Sequence, residues 1–109
     1  MSKQIIAPYR KSDSLVFLSG VTGEPGDSET QVVNAFEKVR QRLKEAGTSM
    51  ENIISVVVYL VNLNDRETAL NPIWEKYFPT NPPARTTVEV GLGKGRLVEI
   101  QVVANMPPR

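Results

Sequence analysis

Arg85 and Glu99 are the side chains of this sequence best suited to chemistry. A guanidinium offers a planar fork of donors that matches a carboxylate. A carboxylate in an apolar run, as Glu99 is beside Val98, can polarise a water molecule or relay a proton. The pair therefore predicts a site that binds an acidic substrate and acts on it with water. On composition alone, a structural ion pair of Arg85 with Glu89 or Glu99 is the favoured interpretation, and Glu99 could also be a solvated strand residue.

The absence of cysteine and histidine from all 109 residues excludes several kinds of site. Disulfides, thiolate catalysis and cysteine-ligated zinc are ruled out, and a zinc site without histidine is disfavoured. Proton transfer must then rely on carboxylates, Lys, Tyr, backbone groups or water. We therefore predict a site with no metal and no organic cofactor.

The length of the chain indicates a single domain, residues 1–109. The net charge is +1 and the basic residues are scattered, so no nucleic-acid partner is expected. No apolar run has membrane-spanning length, and the polar start does not resemble a secretory signal. The expectation is a cytoplasmic protein with no membrane partner.

The segments that carry Arg85 and Glu99 alternate between polar and apolar residues, which predicts two strands. We expect them to form a hairpin through the Gly-rich connection 91–95. That connection lacks phosphate-loop spacing, so its Lys94 is interpreted as solvated. The period of two predicts that Val88 and Val90 share the helix-covered face with Val98, Ile100 and Val102, and that Thr87, Glu89, Glu99 and Gln101 point away from it.

The segment Ile53 to Val61 is apolar at odd and even positions, apart from Ser55 and the Tyr59 hydroxyl. This pattern is typical of a strand buried on both faces. Two helices on one side of a small sheet would leave its other face wet. Oligomerisation is the simplest way to cover that face.

Two amphipathic helices are predicted. Ser28 and Gln31 have capping-box spacing, and Gly47 fits the C-terminal end of the first helix. Asn64 or Asp65 can cap the second. Apolar residues at helical spacing should line the buried face of both helices: Val32, Phe36, Val39, Leu43 and Ala46 in the first, Leu70, Ile73, Trp74, Tyr77 and Phe78 in the second.

Pro72 interrupts the second helical pattern, and predicts either a kink or a start near that residue. Two further strands are expected before the first helix, at residues 3–6 and 15–20, with a polar turn at residues 9–14. The predicted order is β-β-α-β-α-β-β. This is an α+β fold with a mixed sheet and two helices on one face.

At this point several stretches resemble one known family, the reactive-intermediate deaminases, also called the RidA or YjgF/YER057c/UK114 family. The most specific is Pro83-Ala84-Arg85-Thr86-Thr87-Val88-Glu89-Val90 with Gly95-x-Leu97-Val98-Glu99-Ile100. Shorter matches lie in order along the chain: Ala7-Pro8-Tyr9, Phe17-Leu18-Ser19-Gly20, Ala46-Gly47 with Asn52-Ile53-Ile54, and Leu70-Asn71-Pro72-Ile73-Trp74 with Tyr77-Phe78.

The resemblance implies a chorismate-mutase-like (YjgF-like) fold assembled as a homotrimer with clefts between subunits. It also implies hydrolysis of enamines or imines of the 2-aminoacrylate, 2-iminopropanoate or 2-iminobutanoate type, giving 2-oxo acids and ammonia. Arg85 would bind the substrate carboxylate, and Glu99 would position the attacking water or relay a proton.

The resemblance also carries over further substrate-binding positions. Tyr9 would wall the cleft, Ser19 and Gly20 would present backbone and hydroxyl groups, and Asn71 and Thr87 would add polar contacts. Three of these residues have a structural alternative: Tyr9 as a partly buried tyrosine, Gly20 as a glycine that ends a strand, and Asn71 as a surface asparagine.

Three departures from the family pattern leave the substrate open. Thr87 stands where many members carry cysteine, Val21 stands where glutamine is common, and the loop from Gly20 to Gln31 is shorter. Two alternatives therefore remain. One is a trimer that binds small molecules without turnover, of the kind described as translation inhibitors or chaperone-like proteins. The other is a deaminase dedicated to one pathway, as in 2-aminomuconate-type chemistry.

Overall fold

In a computed structural model, residues 4–108 form two layers, a six-stranded sheet and two helices packed on one of its faces. The strands are β1 (Tyr9–Lys11), β2 (Leu15–Leu18), β3 (Val21–Thr22), β4 (Ile53–Leu60), β5 (Ala84–Glu89) and β6 (Val98–Asn105). The helices are α1 (Ser28–Ala46) and α2 (Asn71–Tyr77). The predicted α+β class with a mixed sheet is confirmed, with the two-residue β3 as an addition. Among the residues described, neither helix is long and apolar enough to cross a membrane.

The predicted hairpin between the last two strands is wrong, because β4 lies between them. The sheet order is β1-β2-β6-β4-β5, with β3 also beside β6. β4 and β5 are parallel, and β4 and β6 are antiparallel. Parallel neighbours need a crossover connection, which α2 supplies here. The most apolar strand thus takes a position with partners on both edges.

The prediction for the first strand is also wrong. The strand is Tyr9–Lys11, where a polar turn was expected, while Ile5 and Ile6 are exposed. A tight turn, closed by the Ser12 N–H donating to the Leu15 carbonyl at 2.9 Å, folds β1 back on β2. Tyr9–Lys11 therefore becomes a strand by pairing with β2 across the turn. The hydrophobicity of the sequence does not reveal such pairing. Lys3 lies outside the described residues.

The face of the sheet that packs on the helices is built mainly from β4 and β6. The alternation predicted for β6 is confirmed: Val98, Ile100 and Val102 are buried, whereas Glu99 and Gln101 point the other way. We call this second face the open face. The register places Phe17, Val57, Tyr59, Glu99, Gln101 and Val103 on it.

The prediction for β5 is wrong: its polar residues, not its valines, face the helix layer. The parallel register pairs Val56 with Arg85 and Val58 with Thr87, so these side chains share the helix-covered face. Val88 pairs with Tyr59 on the open face. β5 is an edge strand, and α2 covers only part of it. A polar row can therefore point toward the helices without deep burial.

Helix α1 ends at Gly47 as predicted, in the left-handed conformation with φ of 95°. Its start differs from the predicted capping box. The N-cap is Asp27, whose carboxylate accepts a hydrogen bond from the Thr30 N–H at 2.9 Å. The predicted apolar residues of α1 are all buried. In the second helix, Pro72 lies in the first turn of α2, after a wide helical turn at Arg66–Leu70, and Asp65 makes no side-chain cap.

Gln31, expected to cap α1, is instead a buried clamp with 1% of its surface exposed. Its amide nitrogen donates to the carbonyls of Gly26 and Gly95, each at 2.9 Å. Its amide oxygen accepts from the Leu97 N–H at 2.9 Å. The start of α1 is thereby fixed to the Gly-rich connection.

Replacement of Gln31 by leucine is expected to lower the free energy of unfolding by about 1–3 kcal/mol, because three backbone groups lose their partner. Urea unfolding at a fixed protein concentration measures this loss. Gln41→Leu, on the exposed side of the same helix, is the matched control and should change stability by less than about 0.5 kcal/mol. Equal effects of the two changes would contradict the clamp.

Candidate active site

Three of the predicted site residues, Ser19, Gly20 and Glu99, line one cavity of about 540 Å³. We call it the Glu99 cavity. Its remaining lining comes from four further residues: Ile6, Thr22, Arg96 and Gln101. Thr22 on β3 is the register partner of Glu99 on β6. The cavity is of a size that takes small molecules.

Gly20 and Glu99 are in direct contact. A Cβ atom on Gly20 would overlap Glu99 Oε2 and lie 2.8 Å from its Cδ. Only glycine therefore leaves the carboxylate in this position.

Ser19 holds the segment before β1 against the cavity. Its hydroxyl donates to the Ala7 carbonyl at 2.6 Å, and its N–H donates to the Pro8 carbonyl at 3.1 Å. The hydroxyl proton is thus already engaged, and Ser19 Oγ can offer a ligand only acceptor capacity.

Arg85 and Thr87 lie on the helix-covered face of the edge strand β5, and Asn71 is the first residue of α2, whose Trp74 packs on Arg85. The Arg85 guanidinium carbon lies 4.8 Å from the ring centroid of Trp74 on α2, a cation–π distance. The Asn71 side-chain amide donates to Glu67 at 3.5 Å.

The environment of Arg85 favours an anionic ligand. Partial burial, and next the positive charge of Arg66, lower the pKa of Arg85 from its ordinary value, while Glu67 opposes this shift. Arginine remains protonated even so. No salt bridge from Arg85 to Glu89 or Glu99 is found within residues 4–108, and Glu89 instead accepts from the Leu63 N–H at 2.9 Å.

Thr87 presents an unsatisfied hydroxyl. Its Oγ1 is buried and has no hydrogen-bond partner among the described residues. Buried polar atoms in native proteins are nearly always paired. The atom lies on the same face of β5 as Arg85, two residues further along.

Arg85 and Glu99 do not meet within one chain. Arg85 lies on the helix-covered face and Glu99 on the open face, so the sheet separates them. Tyr9 lies at the far edge of the sheet, where its hydroxyl donates to the Glu45 carbonyl at 3.4 Å. In a single chain Tyr9 is the partly buried tyrosine of the alternative interpretation.

Sequence reasoning missed two charged residues beside the cavity, Arg96 and Glu24. Arg96 Nε donates to Glu24 Oε2 at 2.9 Å. The one sequence signal was an arginine directly before the Leu97-Val98-Glu99 motif. Its partner is 72 residues away in a Gly-Pro-rich turn, and no spacing rule links the two.

The fold is shared with known structures. A protein of unknown function of the conserved Rid family from Yersinia pestis has a TM-score of 0.88 and 29% identity, over 95% of this chain and 90% of its own. The architecture is thus the YjgF-like α+β domain that the motifs implied.

Sequence comparisons agree. The family model described as endoribonuclease L-PSP matches residues 3–106. Human 2-iminobutanoate/2-iminopropanoate deaminase is 32% identical over 94% of this chain and 83% of the human protein. The 3-aminoacrylate deaminase RutC of Acinetobacter baylyi is 32% identical over 93% of this chain and 89% of its own. The chain belongs to the YjgF/YER057c/UK114 family, also called the RidA family.

Proposed function

We propose that this protein hydrolyses small 2-imino or enamine acids to 2-oxo acids and ammonia, without metal or organic cofactor. The observation that carries the proposal is the contact of Glu99 with Gly20 in an open cavity, in a family whose human member is named an imine deaminase. We take the substrate class from that name and propose substrates of the 2-iminobutanoate and 2-iminopropanoate type.

The active site of this proposal forms between copies of the chain. Arg85 and Glu99 lie on opposite faces of one sheet, so a cleft containing both needs Arg85 from one copy and Glu99 from another. The open face supports association, because Phe17 on it is 46% exposed and Val57 and Tyr59 are only partly covered. We propose a homotrimer with three such clefts, the assembly that the family resemblance implies.

In the proposed mechanism Arg85 binds the substrate carboxylate through both arms of its guanidinium and thereby fixes the imine carbon. Glu99 accepts a proton as a water oxygen bonds to that carbon. Glu99 passes this proton to the imine nitrogen, which gives a carbinolamine with a hydroxyl and an amino group on one carbon. Glu99 then takes the hydroxyl proton as the C=O bond forms and delivers it to the amino nitrogen, so the C–N bond breaks and ammonia leaves the 2-oxo acid. For an enamine, the same carboxylate relays the proton that first gives the imine.

The remaining predicted residues would complete the cleft. Thr87 Oγ1 would donate to the bound acid, Asn71 would contribute its amide, and Gly20 and Ser19 would frame Glu99. Tyr9 would act as a wall only in the assembled form, since within one chain it lies at the far edge of the sheet.

Activity is tested by adding the protein to a pyridoxal-phosphate enzyme that releases 2-aminoacrylate or 2-aminocrotonate. Ammonia and 2-oxo acid should form faster than in buffer. Absence of acceleration, together with 2-oxobutanoate bound at Arg85 in a crystal, would instead support a trimer that binds without turnover.

The shared cleft predicts complementation between inactive variants. Arg85→Gln and Glu99→Gln chains, unfolded together in equal amounts and refolded, should regain about one quarter of wild-type activity, because a random interface has that chance of pairing two intact residues. Mass in solution reports the number of subunits. Activity no higher than that of the separate variants would contradict a site shared between copies.

A further inference from the structure

Arg96 lines the Glu99 cavity but has no part in the proposed hydrolysis. It is a second cation in the assembled cleft, beside the carboxylate that activates water, whereas Arg85 would arrive from another copy. A site for a simple 2-imino acid requires one cation, for its one carboxylate. Arg96 is therefore a cation of the cavity to which the proposed hydrolysis gives no part, and its one ionic partner among the described residues is Glu24.

The backbone around Arg96 is held rigidly. The buried Gln31 side chain binds the residues on both sides of it, donating to the Gly95 carbonyl and accepting from the Leu97 N–H, each at 2.9 Å. Because this backbone is already ordered, binding of a ligand at Arg96 carries no further cost for ordering the loop.

The guanidinium of Arg96 is also held, but at one nitrogen. Its Nε donates to Glu24 Oε2, while Glu24 Oε1 is buried and has no hydrogen-bond partner among the described residues. The neighbouring Thr22 hydroxyl and Arg96 guanidinium lower the pKa of Glu24 to about 2, so the carboxylate stays charged even in mild acid. Glu24 Oε2 accepts a hydrogen bond from Nε of Arg96, and Glu24 Oε1 accepts none from its terminal nitrogens. Those terminal nitrogens therefore keep N–H donors for a ligand.

We propose that Arg96 is a specificity-determining residue, and that the cavity prefers 2-imino and 2-oxo acids with a second carboxylate on the side chain. The inference rests on the proposed function for the placement of the first carboxylate at Arg85. With the imine carbon at Glu99, the far end of a short side chain lies within the same cavity as Arg96. A carboxylate there receives a charged hydrogen bond, and an alkyl end does not.

The test compares two ligands of equal chain length, 2-oxoglutarate and 2-oxopentanoate, by isothermal titration calorimetry. The wild type should bind 2-oxoglutarate roughly 10- to 100-fold more tightly, the usual range for one charged hydrogen bond. Arg96→Gln should bring the two affinities to within about 3-fold by weakening only the dicarboxylate. Lys94→Gln is the matched control, since it removes the same charge from an exposed neighbour, and should keep the preference.

Three results would overturn the proposal: no preference in the wild type, a preference that survives Arg96→Gln, or no binding of either ligand. Loss of stability in Arg96→Gln with an unchanged affinity ratio would show that Arg96 and Glu24 form only a structural ion pair. The proposed function fails separately. Suppose that no 2-imino or enamine acid is hydrolysed, but that the ratio of the affinities for 2-oxoglutarate and 2-oxopentanoate depends on Arg96. The specificity inference then stands and the deaminase proposal does not.

Discussion

Arg85→Gln is expected to lower kcat/KM for 2-imino acids by roughly 10²- to 10³-fold, since glutamine offers no charged fork to the substrate carboxylate. The loss should appear both in substrate binding and in the rate of hydrolysis, because Arg85 also fixes the position of the imine carbon. Initial rates of ammonia release over a range of imine concentrations measure both. The affinity for 2-oxobutanoate should fall in parallel.

Two further variants make this result specific. Arg85→Lys keeps the charge but not the fork, and should recover only part of the lost activity. Lys38→Gln, on the exposed side of α1, removes one positive charge elsewhere and should leave kcat/KM unchanged. Because Arg85 packs on Trp74, unfolding of each variant should be measured as well. Wild-type kcat/KM in a folded Arg85→Gln protein would remove Arg85 from the site.

Glu99→Gln is expected to lower kcat by roughly 10²- to 10⁴-fold with little change in KM, because the amide keeps the shape of the carboxylate but cannot accept the proton of water. The split between kcat and KM separates this role from simple binding. Steady-state rates over a range of imine concentrations that reaches saturation measure both constants. A fall confined to KM would assign Glu99 to binding and exclude it as the proton acceptor.

Gly20→Ala provides an independent check on Glu99. The added methyl group would overlap the Glu99 carboxylate and displace it, so kcat should fall in the same direction while the chain keeps Glu99 itself. Wild-type kcat in this variant would mean that the position of the carboxylate is unimportant. Such a result would argue against general base catalysis by Glu99.

Features set by local pattern were predictable from the sequence. The buried side of α1 follows from apolar residues at helical spacing, and its end follows from Gly47, the residue best able to adopt a positive φ. In β6, alternation places Glu99 on the face away from Val98 and Ile100. Arg85 and Glu99 stood out because their motif is specific to one family.

Pairing between distant strands was decided by the tertiary structure. A period of two shows that Arg85 and Thr87 share a face of β5, but not which face, because a one-residue change of register exchanges the two. The parallel register with β4 sets Arg85 beside Val56, on the opposite side of the sheet from Glu99. The sequence therefore determined which residues are candidates, and the structure decided that one chain cannot unite them.

The surroundings of the cavity show the same division. The clamp of Gln31 on Gly95 and Leu97 spans more than 60 residues, and the ion pair of Glu24 with Arg96 spans 72. Such contacts produce no periodic pattern in the sequence, since each depends on how two distant loops pack together. The sequence by itself determined the family, the helices and the two chemical groups. Only the packed sheet decided the side on which Arg85 lies and the presence of a second arginine beside Glu99, because register and loop contacts are properties of the whole fold.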